Sequence, residues 1–271
     1  MPSASLMRAA AVLARQINGF VQAAWCQQTL PIIAGEGITL PAEYLSQFEQ
    51  EEKEISTSAK SEFMRQMEEQ NIRLGRLDDW DRNEPAAGWT ELQGSGAIAL
   101  AEFARIFDIA VMHRQVPEKT TEWRTTCETV LFEGGRPLLL VSDSVPETFG
   151  RNIVIAWNGS SETARTIAMA NEILSAADSV HVIEVEGGKV PGPGADQVAC
   201  SLRAAGIDAT HQFLKAESGP VSEAIMGYAR NVGADLIMKG AYTHSRLRAL
   251  IFGGVTSDIF SHSELPVLFC H

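Results

Sequence analysis

The second half of the chain alternates short apolar runs with amphipathic segments. Four continuous apolar runs are typical of parallel strands buried on both faces, and they cover residues 153–156, 180–183, 236–238 and 267–269. A weaker strand is predicted for residues 209–214. Patterns of helical period lie between the strands, at residues 160–177, 196–205, 220–232 and 255–261. This alternation predicts a doubly wound α/β sheet.

The first half opens on a helical pattern and contains a long polar-periodic stretch. Apolar residues at helical spacing near the N-terminus are Leu6, Ala9, Ala10, Leu13 and Ile17. We interpret them as a domain helix rather than a targeting peptide, because Arg15 interrupts the apolar run and no A-x-A cleavage site follows. A strand is predicted at residues 20–25. Residues 41–72 predict one extended helix, with candidate inward positions Leu45, Phe48, Ile55, Phe63 and Met67.

Two segments of the first half resemble two segments of the second. Residues 105–112 resemble residues 231–238, and residues 135–140 resemble residues 264–269. We therefore predict that one structural unit occurs twice, with domains at 1–145 and 150–271. The long helix of the first domain has no counterpart in the second.

The repeat indicates that one strand of the first domain is absent. In the second half a strand and a helix precede the strand at residues 180–183, whose counterpart is the strand at residues 20–25. The opening strand of the first domain would then have to lie before residue 1. We expect a degenerate first domain without its first strand. Three explanations stay open: the chain was cut, its start was placed too late, or another chain supplies the strand.

The chain is acidic, with 34 acidic and 22 basic residues and a net charge of −12. This charge argues against nucleic acid or anionic membrane as a partner, because phosphate binding needs a basic surface. The excess of acidic residues is unevenly distributed along the chain. Residues 1–150 carry 22 acidic and 13 basic residues, whereas residues 151–271 carry 12 acidic and 9 basic residues. No acid lies between Asp235 and Asp258, where the basic residues are Lys239, Arg246 and Arg248. A small polyanion is therefore electrostatically acceptable in this window.

The cysteines and the hydropathy indicate a cytoplasmic protein. The four cysteines, Cys26, Cys127, Cys200 and Cys270, form neither a C-x-x-C pair nor a metal-ligand spacing. We expect reduced thiols and no metal site. No run of about 18 apolar residues occurs, so no membrane span is expected.

One segment, residues 239–256, combines glycines, hydroxyls and positive charge directly after a predicted strand. Ligands of open α/β sheets bind beyond the carboxyl ends of the strands. Gly253 and Gly254 precede a helix whose N-terminal amides favour an anion. Thr256 adds a hydroxyl, and two alternatives stay open for Lys239, Arg246 and Arg248: they supply a counter-charge or they face solvent. The alternative of an ordinary strand-to-helix loop, whose glycines only permit the turn, stays open.

This segment resembles the C-terminal signature of the universal stress protein family, G-x2-G-x9-G-[ST], which is followed by a Pro-Val-Leu final strand. Gly240, position 243 and Gly253 reproduce the spacing, and Asn158 stands where the family commonly has Asp. The resemblance covers 151–271 and, more faintly, 1–142, as in tandem two-domain members. It implies two tandem Rossmann-like domains of the adenine nucleotide alpha hydrolase type, with parallel sheets.

The resemblance also implies a nucleotide site. Members that bind ATP carry the full motif, whereas Thr243 here replaces the second glycine and Gly254 replaces the final Ser/Thr. Trp157 would lie against an adenine or fill the sheet edge. The residues expected to bind nucleotide are Ala156, Trp157, Asn158, Lys239, Gly240, Thr243, Gly253, Gly254, Val255 and Thr256. In the first domain residues 113–122 contain no glycine, and Pro117 removes a backbone donor, so no such site is expected there.

The expected function is that of a cytoplasmic stress-response protein whose second domain binds ATP, with Mg²⁺. One alternative is a nucleotide-independent interaction or scaffold protein, whose unidentified protein partner binds the acidic helix at 41–72. A second alternative is a weak ATPase, although no general base and no catalytic residue can be named. Single-domain members of the family commonly dimerise, so a homodimer is also an open expectation.

Overall fold

The computed structural model describes residues 3–26, 41–94, 96–115, 122–215, 219–242 and 254–271. Within these ranges no helix is both long and apolar enough to cross a membrane. The strands are β1 Phe20–Cys26, β2 Arg73–Leu74, β3 Ala86–Leu92, β4 Ala110–His113, β5 Leu138–Val141, β6 Asn152–Ala156, β7 Ser179–Val185, β8 Ala209–Leu214, β9 Leu236–Gly240 and β10 Val267–Cys270. The helices are α1 Ala4–Ile17, α2 Ala42–Glu69, α3 Gly96–Ala104, α4 Glu122–Glu133, α5 Ser161–Met169, α6 Asn171–Ser175, α7 Ala195–Ala204, α8 Val221–Asn231 and α9 Val255–His262, and a short 3-10 helix spans Leu77–Asp79.

The larger sheet has the strand order β4-β5-β10-β9-β6-β7-β8. All its neighbours are parallel except β5 and β10, which pair antiparallel. The strands of the second half occupy five adjacent places, as the alternation of apolar runs and helices predicted. The apolar strands are buried because helices cover both faces of the sheet, where two large core clusters lie. The predicted α/β class is confirmed, including the weaker strand at 209–214.

The predicted helix at 160–177 is divided into α5 and α6. Ala170 leaves the helical conformation, with φ −99° and ψ 18°. Its N–H is shared between the carbonyls of Thr166 and Ile167, at 3.1 and 3.3 Å. The side chain of Ala170 is buried in the core, so the chain turns against the sheet at this point.

The smaller sheet has the order β1-β3-β2, and its pairs are parallel. Helix α2 is inserted between β1 and β2, and its C-terminal part meets a core through Phe63 and Met67. The prediction that Leu45 and Ile55 face inward is wrong, since these side chains are 38% and 48% exposed. The buried positions of α2 begin at Ser56, so the earlier turns have no core to contact.

Among the described residues, no strand joins the two sheets. β1 pairs with β3 and β4 pairs with β5, but neither pairs with a strand on its other edge. Within the described ranges no strand of the first half corresponds to β6, and the expectation that the first half lacks its opening strand stays a prediction. The proposed division into domains at 1–145 and 150–271 stays a prediction, and β4 and β5 continue the sheet of the second half.

Candidate functional site

The candidate site lies at the carboxyl ends of two adjacent central strands, β6 and β9. These strands are parallel, and Ala156 at the end of β6 is level with Lys239 in β9. β6 is flanked by β7 on one side and by β9 on the other, so the strand order reverses here. This is the position at which open α/β sheets bind ligands.

A threonine that the sequence pattern did not indicate connects the two strand ends. The hydroxyl of Thr163 donates to the Oδ1 of Asn158 at 2.8 Å and accepts the N–H of Gly240 at 3.2 Å. The Oδ1 of Asn158 also accepts the N–H of Ser160 at 3.2 Å. The amide oxygen predicted to contact a ribose therefore already holds the first turn of α5. The sequence feature that could have indicated this helix start is Ser160, a typical N-cap residue, whose hydroxyl accepts the N–H of Thr163.

The absence of a side chain at Gly240 is explained by packing against α5. A Cβ at this position would lie 2.5 Å from the backbone nitrogen of Thr163 and 2.6 Å from its Oγ1. Real Cβ atoms do not approach other atoms so closely, so β9 and α5 can meet only with glycine here. The close approach is made by a helix of the protein, independent of any ligand.

Lys239 is a buried cation without a buried anion beside it. Its side chain is 8% exposed, and its Nζ donates to the carbonyl of Gly240 and to the Oγ1 of Thr256, both at 2.8 Å. No ion pair links it to a carboxylate in the described part of the chain. Burial lowers the pKa of Lys239 to about 8. Burying an ammonium without a counter-charge is costly, so the site carries a positive charge that no carboxylate among the described residues balances.

Thr256 and Gly254 form the start of α9, directly beside this ammonium. The Oγ1 of Thr256 accepts the Lys239 hydrogen bond and lies 3.5 Å from the backbone nitrogen of Tyr242, which donates to it. Gly254 is the N-cap residue and supplies no side-chain cap, and a Cβ built on it would have no neighbour within 4 Å. The first N–H groups of a helix can receive an anion. The arrangement can therefore bind a phosphate or a carboxylate.

Tyr242 attaches the site to the first half of the chain. It has φ 55°, which is rare for a residue with a side chain, and its hydroxyl donates to the Oε1 of Glu128 in α4 at 2.7 Å. Burial, reinforced by the Glu128 carboxylate, raises the pKa of Tyr242 to about 12. Arg124 bonds the same carboxylate at 3.0 Å and the hydroxyl of Ser257 in α9 at 2.8 Å. No local sequence pattern indicated this contact, because α4 is distant along the chain.

Trp157 packs in the protein interior. The indole is buried in the core cluster, and its Nε1 donates to the carbonyl of Pro193 at 2.8 Å. It lines a groove of about 290 Å³ with residues of α5 and α7, among them Ile167 and Leu202. Of the two alternatives for Trp157, this geometry favours packing at the edge of the sheet.

Most of the predicted site residues are brought to one end of the sheet. Ala156 is buried and ends β6, and Val255 is partly buried and begins α9. The predicted residues that share this end are Ala156, Asn158, Lys239, Gly240, Gly254, Val255 and Thr256. Thr243 and Gly253 lie outside the described residues. The assignment of these residues to a nucleotide stays a prediction.

The fold and the site together define an α/β protein with an anion-receptive centre at the switch point of its parallel sheet. Residues 150–271 match the model of the Universal stress protein family, and this part of the chain is a universal stress protein domain. The family supports a role in stress response.

Two curated relatives are similar over a short stretch. The Universal stress protein Slr1230 of Synechocystis sp. (strain ATCC 27184 / PCC 6803 / Kazusa) is 38% identical over 50 residues, which are 18% of this chain and 17% of that protein. The Stress response protein NhaX of Bacillus subtilis (strain 168) is 38% identical over 50 residues, 18% of this chain and 30% of that protein. The chain thus covers less than a third of the length of either relative.

One solved structure is similar over nearly the whole chain. It is the crystal structure of a universal stress protein from Archaeoglobus fulgidus DSM 4304, with a TM-score of 0.67 and 15% identity. The similarity covers 97% of this chain and 92% of that one. At this identity the comparison establishes the fold.

Proposed function

We propose that this protein is a stress-response regulator of the cytoplasm that binds an adenine nucleotide, ATP with Mg²⁺, through residues 150–271. The observation that carries the proposal is the buried ammonium of Lys239, which contacts Thr256 at the start of α9 and which no carboxylate of the described ranges balances. A bound polyphosphate would supply the missing negative charge. The free thiols of the four cysteines are consistent with a reducing compartment.

The residues present fit the phosphate end of a nucleotide. The N-terminal amides of α9 and the hydroxyl of Thr256 would donate to phosphate oxygens, and Lys239 would contribute charge. Gly254 leaves space in front of the helix. A bound Mg²⁺ would screen phosphate charge. Asn158 lies at the neighbouring strand end, where a ribose hydroxyl could replace one of its internal hydrogen bonds.

The support is weaker for the base than for the phosphates. Trp157 is buried and bonded to Pro193, so it offers no stacking face without rearrangement. We therefore expect recognition to depend mainly on phosphate number, with ATP and ADP bound more tightly than AMP or cyclic AMP.

Thermal-shift and calorimetric titrations with these four nucleotides test the proposal, because a ligand that binds only the folded state raises the melting temperature. Gly254→Asp should abolish the shift, since it places a carboxylate at the anion-receptive helix start while remaining a good N-cap. Gly254→Asn is the matched neutral control. Absence of a shift with every nucleotide would contradict the proposal, and phosphate release in the same samples would reveal the ATPase alternative.

A second candidate function is a nucleotide-independent interaction with another protein through α2. The observation that favours it is the exposure of large apolar side chains on an acidic helix, namely Tyr44, Leu45, Ile55 and Met64. Affinity capture with full-length protein and with an Ile55→Ser variant tests it: a partner that binds through α2 should be retained by the first and lost by the second.

A further inference from the structure

Helix α4 of the first half packs against α9, the helix that begins at the candidate site. Arg124 of α4 donates to the hydroxyls of Ser257 and Ser261 of α9, at 2.8 and 3.2 Å. Its guanidinium lies over the ring of Phe260, 5.8 Å from the ring centre, and Trp123 stacks on the same ring at 5.9 Å. Residues spaced in this way share one face of a helix. This face of α9 is therefore held by α4.

The same helix α4 holds the chain just beyond β9. The hydroxyl of Tyr242 donates to the Oε1 of Glu128 at 2.7 Å, and the ring of Tyr242 packs against that of Phe132, with 5.1 Å between their centres. The Nε of Arg124 donates to the same Oε1 at 3.0 Å. One carboxylate thus connects the side chain that holds α9 with the side chain that follows β9. We call Arg124, Glu128 and Tyr242 the clamp.

The backbone of Tyr242 has an unfavourable conformation. Its φ of 55° lies in the left-handed region, which residues with a Cβ rarely adopt. In this conformation its N–H donates to the Oγ1 of Thr256 at 3.5 Å. Backbone conformations of this kind persist where the surrounding structure imposes them, and they cluster at binding sites. The contacts of Tyr242 with Glu128 and Phe132 supply that constraint here.

The bond from Tyr242 changes what the Thr256 hydroxyl offers to a ligand. The Oγ1 of Thr256 accepts from the Nζ of Lys239 at 2.8 Å and from the backbone nitrogen of Tyr242 at 3.5 Å. A hydroxyl has two lone pairs and one hydrogen, so with both lone pairs engaged it meets a further group as a donor. A donor hydroxyl beside an ammonium at a helix start suits a phosphate oxygen.

We infer that Arg124 and Glu128 are positioning residues of the anion site, which hold Tyr242 and the first turn of α9 so that Thr256 and Lys239 act on one phosphate group. They act through Tyr242 and α9 and do not themselves contact the ligand. The inference rests on the proposed function. It adds that the site at the ends of β6 and β9 depends on a helix of the first half.

The charge of Glu128 separates positioning from simple electrostatics. If its charge alone mattered, removal of the carboxylate would tighten the binding of an anion nearby, because like charges repel. If Glu128 positions Tyr242, Glu128→Ala should weaken binding instead. Glu128→Gln keeps an oxygen that accepts from the Tyr242 hydroxyl and should recover much of the affinity.

Calorimetric titrations of the full chain at pH 7 measure these affinities, with ADP and with inorganic pyrophosphate as the probe that lacks a base. Glu128→Ala should raise the dissociation constant at least about tenfold, and so should Tyr242→Phe, which loses the hydroxyl without any change of charge. Arg124→Lys keeps the charge, loses the planar fork and should also weaken binding. The matched control is Arg151→Lys, since Arg151 forms the same kind of fork with Asp178 at the opposite end of β6.

Hydrogen exchange of the protein without ligand gives a second, independent readout. The N–H of Asp258 donates to the carbonyl of Gly254 at 2.9 Å, in the first turn of α9. Its exchange should be faster by at least about tenfold in Arg124→Lys and in Glu128→Ala, whereas the amides of β6 keep their rates. A general loss of stability would instead raise both sets of rates. Arg151→Lys should leave the Asp258 amide unchanged.

The outcomes distinguish a failure of this inference from a failure of the proposed function. If neither ADP nor pyrophosphate binds the wild type, the proposed function is overturned, and unchanged exchange at Asp258 would overturn the inference as well. If the wild type binds and Glu128→Ala binds equally or more tightly, only the positioning role is overturned. Should Glu128→Ala not fold, unchanged affinity of both Tyr242→Phe and Arg124→Lys would overturn it.

Discussion

The Nζ of Lys239 lies 2.8 Å from the Oγ1 of Thr256 and donates a hydrogen bond that joins the end of β9 to the first turn of α9. A buried ammonium at a helix N-terminus is doubly unfavourable, because it loses hydration and lies at the positive end of the helix dipole. Thr256 and the Gly240 carbonyl accept two of its three hydrogen bonds and carry no charge to balance it. Arrangements that cost stability in this way are typical of binding sites.

Replacing Lys239 by methionine should stabilise the folded protein and remove nucleotide binding. Burial lowers the pKa of Lys239 from 10.5 to about 8. At pH 7 the folded protein therefore keeps Lys239 charged at a cost in stability. We expect Lys239→Met to raise the free energy of unfolding by about 1–3 kcal/mol, the lost hydrogen bonds offsetting part of the gain. Urea denaturation at pH 7 measures it, and an unchanged or lower stability would contradict the buried charge.

The difference in stability between the wild type and Lys239→Met should change with pH in one defined direction. Between pH 8 and 10.5 the unfolded chain holds the Lys239 proton while the folded chain releases it. The stability of the wild type should therefore rise relative to Lys239→Met across this range, and stay at a constant deficit below pH 8. Denaturation curves of both proteins at pH 7, 8, 9 and 10 check it. A deficit that does not shrink as pH rises would show that Lys239 is not the titrating group.

Nucleotide affinity should fall as pH rises above about 8. A polyphosphate binds the charged form of Lys239, whose pKa is about 8 in the protein alone, so binding and proton uptake are coupled. At a pH where Lys239 is deprotonated in the free protein but still protonated in the complex, each further pH unit should weaken binding. The dissociation constant of ADP should then rise by up to about tenfold per pH unit. Titrations at pH 7.0–9.5 measure it. A residual affinity of Lys239→Met, where detectable, should be flat over the same range.

Gly240 and Gly254 should respond to alanine by different amounts. Gly240→Ala places a Cβ 2.5 Å from the backbone nitrogen of Thr163 and should cost about 1–3 kcal/mol of stability. Gly254→Ala meets no atom within 4 Å and has extended backbone, so it should cost no more than about 1 kcal/mol, through the poorer N-cap alone. Thermal and urea denaturation of the pair separate a packing role from a ligand-facing one. Equal losses would contradict this assignment.

The strands of the second half and the position of the candidate site at their carboxyl ends followed from local patterns, because each buried strand is a continuous apolar run. Strand β8 has the predicted bounds of residues 209–214, and β6 and β9 end where ligand residues were expected. Two features depended on tertiary contacts instead. The sequence places Lys239 after a strand, where a lysine is usually solvated, whereas the fold buries its ammonium against Thr256 of α9. The contact of Tyr242 with Glu128 joins distant segments and has no local signal.

The long helix α2 allows a test of how much stability its exposed and its buried apolar residues contribute. Ile55 and Phe63 both fit the predicted inward stripe, but Ile55 is 48% exposed and Phe63 is 3% exposed. Ile55→Ser should therefore change the free energy of unfolding by no more than about 0.5 kcal/mol, whereas Phe63→Ala should cost about 3–5 kcal/mol through the cavity it leaves beside Trp89. Urea denaturation of the two variants under the same conditions measures both values. A large loss for Ile55→Ser would mean that the N-terminal turns of α2 are covered in solution, and a dependence of that loss on protein concentration would identify a second copy as the cover.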